Sequence, residues 1–171
     1  LEAAIRDFTR AIELERSHVA PYFNRGNARY LAGDLQGAVK DFDATLRIDA
    51  GFVRAHERRG LVLQRLGREK DAEVDFTTAI SLAPERPDAY AHRAAVRALS
   101  GDIALAVLDC EQAIVLMPDE SRQRDATVRL YQTLIKAQAE MKTMAKNASK
   151  KRAAEPTKPV RAAKKKAAAK K

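Results

Sequence analysis

Arg54 and Arg58 are two arginines whose side chains could contact the same ligand. They are four residues apart, and side chains with that spacing lie on one face of an α-helix. A guanidinium is planar and always charged, so it suits forked hydrogen bonding to a carboxylate. The three histidines, His18, His56 and His92, lack the spacing of a metal site, and no nucleophile elbow, phosphate loop or dinucleotide fingerprint occurs. The sequence therefore predicts no enzymatic activity, no metal site and no cofactor.

A second set of arginines recurs in step with aspartates, at one fixed period along the chain. Arg25 lies eight residues before Gly33 and Asp41 lies eight after it, so the two are level if the chain forms an antiparallel helical hairpin there. Asp7 and Arg25 are about equally far from a bend near Arg16. We therefore predict an alternating ladder of charges, although solvent-exposed charges would show the same spacing. Its members are Asp7, Arg25, Asp41, Arg59, Asp75, Arg93 and Asp109.

Small and apolar residues recur with the same period. Three copies of one unit cover residues 19–52, 53–86 and 87–120. In each copy a helical stretch ends at a glycine, which suits a left-handed cap, and a second helical stretch follows. The recurring residues are Tyr22, Gly26, Gly33, Ala38 and Phe42; then His56, Gly60, Gly67, Ala72 and Phe76; then Tyr90, Ala94, Gly101, Ala106 and Cys110. The period of 34 residues predicts stacked two-helix units.

These recurring residues resemble the signature of the tetratricopeptide repeat family, in which aromatic, Gly, Ala and Pro positions recur once in every repeat. The resemblance covers residues 1–120, about three and a half units. Arg25, Arg59 and Arg93 depart from it, because the family usually has Leu at their position. The resemblance implies an all-α fold, a right-handed α-solenoid of helix-turn-helix repeats.

The resemblance also implies that the first helices of the units line a concave groove that binds a partner protein or peptide. A plain solvated face is the alternative. The residues expected in the groove are Phe23, Asn24, Asn27, Tyr30, Arg54, Arg58, Leu61, Arg65 and His92, with Glu57, Asp88 and Leu99 beside them. Co-chaperones of this family grip a C-terminal carboxylate with a clamp of Lys, Asn and Arg. Asn24, Arg54 and Arg58 stand at three of the matching places, so an acidic ligand is expected.

The beginning of the chain matches only part of the two-helix repeat. Leu1 aligns with Leu35, so residues 1–18 match the second helix of a truncated repeat. We therefore expect a fragment of a longer protein that self-associates through the face its missing helix would cover. A single cysteine and the lack of an apolar run long enough to span a bilayer favour a cytoplasmic protein with no membrane partner.

The repeat signature stops after Pro118. Residues 121–147 read as one amphipathic helix, with Leu130, Leu134 and Met141 on its apolar stripe. A stacked array needs a final element with one polar face. We predict a capping helix, and a dimerising coiled coil is the alternative.

Residues 148–171 are rich in Lys, Ala and Pro and predict a disordered basic tail. Residues 146–171 hold 11 basic side chains and one acidic, while the rest of the chain holds 21 and 22, so the tail carries the excess of the net charge of +9. In composition it resembles linker-histone tails, which implies nonspecific, salt-dependent binding of nucleic acid; a solubilising tail is the alternative. The polyanion-binding residues expected are Lys150, Lys151, Arg152, Lys164, Lys165, Lys166, Lys170 and Lys171.

These features together predict a protein–protein interaction scaffold that holds a peptide or partner helix in its groove, and no enzyme. Two alternatives remain open. One is a nucleic-acid-associated adaptor that acts through the tail, and the other is a targeting module of a larger enzyme that continues before Leu1.

Overall fold

A computed structural model describes the backbone of residues 1–154 and the side chains of residues 1–149. This part of the chain contains eight α-helices and no β-strand. The helices are α1 (Glu2–Leu14), α2 (Val19–Ala32), α3 (Leu35–Ile48), α4 (Val53–Arg65), α5 (Glu69–Leu82), α6 (Pro87–Ser100), α7 (Ile103–Leu116) and α8 (Arg122–Ala154). Helices α2–α3, α4–α5 and α6–α7 form three hairpins stacked in chain order, as the repeat period predicts. None of the described helices is both long and apolar enough to cross a bilayer.

Glycines with positive φ turn each hairpin. Gly33, Gly67 and Gly101 have φ values of 86°, 71° and 87°, a region where a side chain would be strained. The predicted left-handed caps are therefore confirmed. After the first turn, Asp34 caps α3 by accepting a hydrogen bond from the backbone N–H of Gly37 at 2.8 Å. Arg68 takes the equivalent place before α5 and makes no side-chain cap.

Close packing inside each hairpin depends on a pair of facing residues. A Cβ atom at Gly26 would lie 2.8 Å from the Phe42 ring, and one at Gly60 would lie 2.8 Å from the Phe76 ring. Both rings are fully buried. In the third hairpin Ala94 and Cys110 hold the equivalent positions, so a larger residue on α6 accompanies a smaller one on α7. The burial of Cys110 raises the pKa of its thiol to about 11, which keeps it protonated near neutral pH.

Buried aspartates link the two helices of each hairpin. Asp41, Asp75 and Asp109 are 2%, 2% and 4% exposed. Each accepts two hydrogen bonds of 2.6–2.9 Å from the Nε and Nη2 atoms of one arginine on the preceding helix. The pairs are Arg25–Asp41, Arg59–Asp75 and Arg93–Asp109. The level positions inferred from the turn glycines are therefore confirmed, and these arginines are not plain surface charges.

The predicted links between successive hairpins are wrong by two residues. The Nη1 atoms of Arg25, Arg59 and Arg93 reach back to Thr9, Asp43 and Thr77, at 3.0, 2.6 and 3.1 Å. Asp7, the first predicted member of the ladder, is exposed. The distance from a turn fixes the level within one hairpin, but the offset between hairpins depends on how their surfaces pack, so the guanidinium meets the side chain two positions further along.

A second nitrogen-bearing side chain completes each buried site. Arg29 donates to Asp41 at 2.9 Å and Arg97 donates to Asp109 at 2.9 Å. In the middle hairpin His56 takes this role, with Nδ1 3.1 Å from Asp75 and Nε2 3.0 Å from the carbonyl oxygen of Ala50. Burial pushes the pKa of Asp75 upward, but hydrogen bonds from Arg59 and His56 outweigh burial and hold that pKa below its ordinary value.

The beginning of α8 closes the stack of hairpins. Up to Gln138 this helix belongs to the same compact unit as the hairpins. Leu134 is 4% exposed and packs in a cluster with Ala94, Ala106, Val107 and Cys110, with Leu130 against them. This packing confirms the predicted capping helix, and it buries Leu134 of the stripe that a coiled coil would need.

The helix α8 continues further than expected. It extends to Ala154, seven residues beyond the predicted end of the capping helix at 147. Residues 148–154 consist only of Ala, Lys, Ser and Arg, and Ala, Lys and Arg are strong helix formers, which favours continuation of the helix. A second compact part of the chain begins at Ala139, and Met141 and Met144 within it are 48% and 69% exposed. The rest of the predicted tail lies outside the described residues. At the other end of the chain, self-association through α1 stays a prediction.

The facing pairs predict a sign change in a double-mutant cycle. We expect Gly60→Ala to destabilise the chain by about 1–2 kcal/mol, because overpacking outweighs the gain in helix propensity. In a Phe76→Cys background the ring is gone, so the same change should stabilise the chain by up to about 1 kcal/mol, the gain in helix propensity alone. Urea unfolding measures both. Equal effects in the two backgrounds would show that the ring does not restrict residue 60.

The buried pairs predict unequal costs for two aspartates that contact the same arginine. Asp75→Ala leaves Arg59 and His56 without their buried partner and should cost about 3–5 kcal/mol. Asp43→Ala removes one bond at a side chain that is 46% exposed, so it should cost under about 1 kcal/mol. The double change Asp75→Leu with Arg59→Leu should cost much less than Asp75→Ala. A urea midpoint that hardly moves for Asp75→Ala would contradict this network.

Candidate functional site

The first helices of the hairpins present a common face. Helices α2, α4 and α6 lie side by side, with α4 in contact with both of the others. On each helix the positions that point away from the buried aspartates are spaced four, three and four residues apart, which keeps them on one side of the helix. We call this surface the A-helix face. It consists of Ala20, Asn24, Asn27 and Leu31 on α2, Arg54, Arg58, Leu61 and Arg65 on α4, and Asp88, His92, Ala95 and Leu99 on α6.

Two arginines of the A-helix face stack on aromatic rings of the neighbouring helix. The Arg54 guanidinium carbon lies 5.1 Å from the centroid of Phe23, and that of Arg65 lies 5.0 Å from the centroid of Tyr30. Such cation–π contacts contribute about 0.5–1 kcal/mol at exposed sites. They hold the guanidinium groups in place and leave the N–H donors at the edge of each group available.

Arg54, Arg58 and Arg65 are all exposed. Within the described part of the chain, none of the three forms an ion pair with a carboxylate. The helix α4 therefore carries three positive charges on one side of the molecule, and no acidic side chain of residues 1–149 neutralises them by direct contact.

Phe23 is a correction to the predicted set of ligand-binding residues. It is 4% exposed, and its ring packs against Phe42 and Phe52, with centroids 5.8 and 5.0 Å away. Phe52 precedes α4 and covers the ring, a contact that the spacing of α2 alone does not reveal. Phe23 therefore belongs to the core, and it serves the A-helix face indirectly by supporting Arg54.

The remaining predicted residues do share the A-helix face or its border. Asn24 is exposed, and Leu61 is partly buried. The Asn27 side-chain amide donates to the carbonyl oxygen of Phe23 at 3.1 Å, which leaves its own oxygen as an acceptor. Tyr30 is partly buried beneath Arg65.

Glu57, beside the arginines, is not their partner. It is 7% exposed and accepts two hydrogen bonds of 2.8 Å from Arg86, which precedes α6. These bonds raise the pKa of Arg86. Arg86 was missed in the sequence, because it lies outside the repeating positions and far along the chain from its partner. Since Arg86 holds Glu57, the acid does not cancel the charge of Arg54 or Arg58.

His92 sits where α6 meets α4. Its ring centroid is 5.5 Å from that of Phe76. Burial lowers the pKa of His92, and the positive charge of Arg58 lowers it further, against the pull of Asp88 and Glu57. The imidazole is therefore neutral at pH 7 and can donate one hydrogen bond and accept another.

Two leucines at the end of the A-helix face are unusually exposed. Leu31 and Leu99 are 68% and 69% exposed. They stand one repeat before and one repeat after Arg65, so the three are equivalent positions on successive first helices. Leu31 was not among the predicted residues, although the period that relates it to Leu99 was available in the sequence.

The other predicted binding residues lie in the basic C-terminal segment. Lys150, Lys151 and Arg152 belong to the last turns of α8, where the structure describes the backbone only. The other members of the set, Lys164, Lys165, Lys166, Lys170 and Lys171, lie outside the described residues. Polyanion binding by this segment stays a prediction.

A cavity of about 290 Å³ lies between α3, α4 and α5, away from the A-helix face. Its polar groups contact one another: Arg59 bonds to Asp43 and Asp75, and Arg68 bonds to Asp71. Because these charges are already paired, the cavity is a weaker candidate than the A-helix face. The described residues also contain no group of three or more His, Cys, Asp or Glu placed to hold a metal ion.

Comparison with known proteins finds a matching repeat family and several similar solved structures. A family model described as Tetratricopeptide repeat matches residues 53–86. A search of curated proteins finds no significant match. Among solved structures, the chain is similar to the second such domain of human RPAP3 in complex with the HSP70 peptide SGPTIEEVD, with 23% identity over 66% of this chain and 91% of that chain and a TM-score of 0.61.

Two further solved structures are similar as well. The Yersinia enterocolitica type III secretion translocator chaperone SycD shares 18% identity over 72% of this chain and 86% of its own, with a TM-score of 0.65. PcrH, in complex with the chaperone binding region of PopD, shares 20% identity over 68% of this chain and 90% of its own, also with a TM-score of 0.65. These likenesses concern the fold.

Two histidines with shifted pKa values predict opposite pH dependences of stability. The hydrogen bond to Asp75 raises the pKa of His56, so its contribution is present below about pH 6.5 and is lost as the pH rises through the raised value. The lowered pKa of His92 acts in reverse, and its contribution is lost as the pH falls below about 6.5.

Urea unfolding between pH 5 and 8.5 separates the two histidines. In a His92→Gln chain the free energy of unfolding should fall with rising pH. In a His56→Gln chain it should rise with pH. Equal slopes in the two variants would contradict these assignments.

Proposed function

This chain is a tetratricopeptide-repeat protein, as its repeating signature predicted, and we propose that it is a protein-interaction module whose A-helix face binds an acidic segment of a partner. The observation that carries this proposal is the contrast between two sets of arginines. Those between the helices, such as Arg59, each hold a carboxylate of the same chain. Those on the A-helix face of α4 hold none within the described residues.

The geometry of these arginines suits a carboxylate ligand. Arg54 and Arg58 are four residues apart, a rise of about 6 Å along α4. Stacking on Phe23 already orders Arg54, so less side-chain entropy is lost when it binds. An exposed set of like charges also accelerates encounter with an oppositely charged partner, and salt weakens this effect.

The similar structures support the same class of ligand. The human RPAP3 domain is described with SGPTIEEVD, a peptide with three acidic residues and no basic one. PcrH is described with a region of another protein. Both support the view that this fold holds a segment of a partner. Asn24, Arg54 and Arg58 remain the residues we propose for recognition of a terminal carboxylate, and side-chain carboxylates satisfy the same donors.

The test uses the full chain and the fluorescein-labelled peptide SGPTIEEVD as probe. We expect the double change Arg54→Gln with Arg58→Gln to weaken binding at least tenfold, because two charge-assisted contacts are lost. The matched control, Arg10→Gln with Arg47→Gln, removes the same charge from exposed positions on α1 and α3 and should change the affinity less than twofold. Fluorescence anisotropy measures both, at low and at high salt.

Two further outcomes of this titration are informative. If the amidated peptide binds as well as the free acid, the ligand is held through side-chain carboxylates and the terminal clamp is wrong. Equal losses in the double variant and its control would show that only overall charge matters, and would overturn the proposed site.

A further inference from the structure

We infer that one edge of the A-helix face selects an extended segment of the type apolar–x–x–acid–x–x–apolar, where x is any residue. This inference rests on the proposed function and specifies the sequence of the acidic segment. The edge consists of Leu31, Arg65 and Leu99, the equivalent residues of α2, α4 and α6.

The chemistry of this edge is unusual for a solvated surface. Leu31 and Leu99 are each more than two thirds exposed. They occupy the same position in the repeats before and after that of Arg65, so two exposed leucines flank one arginine. Single exposed leucines need no explanation, but two that bracket a fixed charge form an apolar–cationic–apolar row. The stack on Tyr30 holds Arg65 at the centre of this row, with its outer N–H donors available.

The spacing of the row defines the ligand. Packed helices lie about 8–10 Å apart, so each step from α2 to α4 and from α4 to α6 covers about that distance. A polyproline II segment has three residues per turn and rises about 3.1 Å per residue, so every third side chain lies on one side at intervals of about 9 Å. Side chains at i, i+3 and i+6 of such a segment therefore match Leu31, Arg65 and Leu99 in turn.

The polar residues of α2 favour an extended ligand over a helical one. A helix would need about twice as many residues to cover the same step, and its backbone groups would already be bonded internally. An extended segment presents free N–H and C=O groups that require partners. Exposed Asn24 and the acceptor oxygen of Asn27 supply such partners on the A-helix face.

A capped peptide of nine residues tests the register. It carries leucine at its second and eighth positions and glutamate at its fifth, with serine and proline elsewhere and both ends blocked. A shifted peptide of the same composition places the glutamate at the third position. We expect the full chain to bind the first peptide at least tenfold more tightly than the shifted one, by fluorescence anisotropy.

Variants of the chain locate the effect. Arg65→Gln, and separately Leu31→Ser with Leu99→Ser, should remove the preference for the unshifted peptide. The matched control is Leu14→Ser, since Leu14 is 80% exposed on α1 and outside the A-helix face. That variant should keep the full preference.

The outcomes separate this inference from the proposed function. If both capped peptides bind equally well and Arg54→Gln with Arg58→Gln still weakens SGPTIEEVD, the acidic site stands and the register is wrong. If neither capped peptide binds while SGPTIEEVD does, the edge is not a binding surface and the inference is overturned. If SGPTIEEVD binding is also unaffected by the arginine changes, the proposed function fails too.

Discussion

A buried carboxylate between two helices is the constraint on which each hairpin of this solenoid depends. Asp41, Asp75 and Asp109 are almost fully removed from water. An unpaired charge there would be very costly, so each aspartate requires the forked arginine opposite it and a second hydrogen-bonded neighbour. A fork of two hydrogen bonds tolerates little sliding, since a shift by one residue would separate the partners. The buried pairs therefore hold the two helices of each hairpin in register, and apolar packing such as that of Gly60 against Phe76 follows from that alignment.

The same arrangement decides which charges are available for binding. The chain is rich in arginine, but most arginines of α2, α4 and α6 that face the second helices are occupied by aspartates. Rigid hairpins then place Arg54, Arg58 and Arg65 on the opposite side, where two of them rest on aromatic rings and none contacts an acid within the described residues. The interior network and the proposed binding face are thus two uses of one residue type, distinguished by what each guanidinium contacts.

Much of the fold was predictable from the sequence, because the same local spacing of residues occurs in three repeats. The turn glycines, the hairpins and the Arg–Asp pairs within them follow from distances along one chain segment. The links to Thr9, Asp43 and Thr77 do not, since they depend on the offset between hairpins, which no local spacing records. Phe23 was placed on the surface because its helical position suggested it, while Phe52, from the end of the same unit, folds back and buries it.

The arginines of α4 on the A-helix face have no carboxylate partner within the described residues, whereas those between the helices do. Side-chain NMR of the arginine Nε–H groups, recorded during titration with SGPTIEEVD, distinguishes the two sets. We expect shifts for Arg54, Arg58 and Arg65 and unchanged signals for Arg25, Arg59 and Arg93. Shifts of the second group, or of neither group while the peptide is bound, would contradict this expectation.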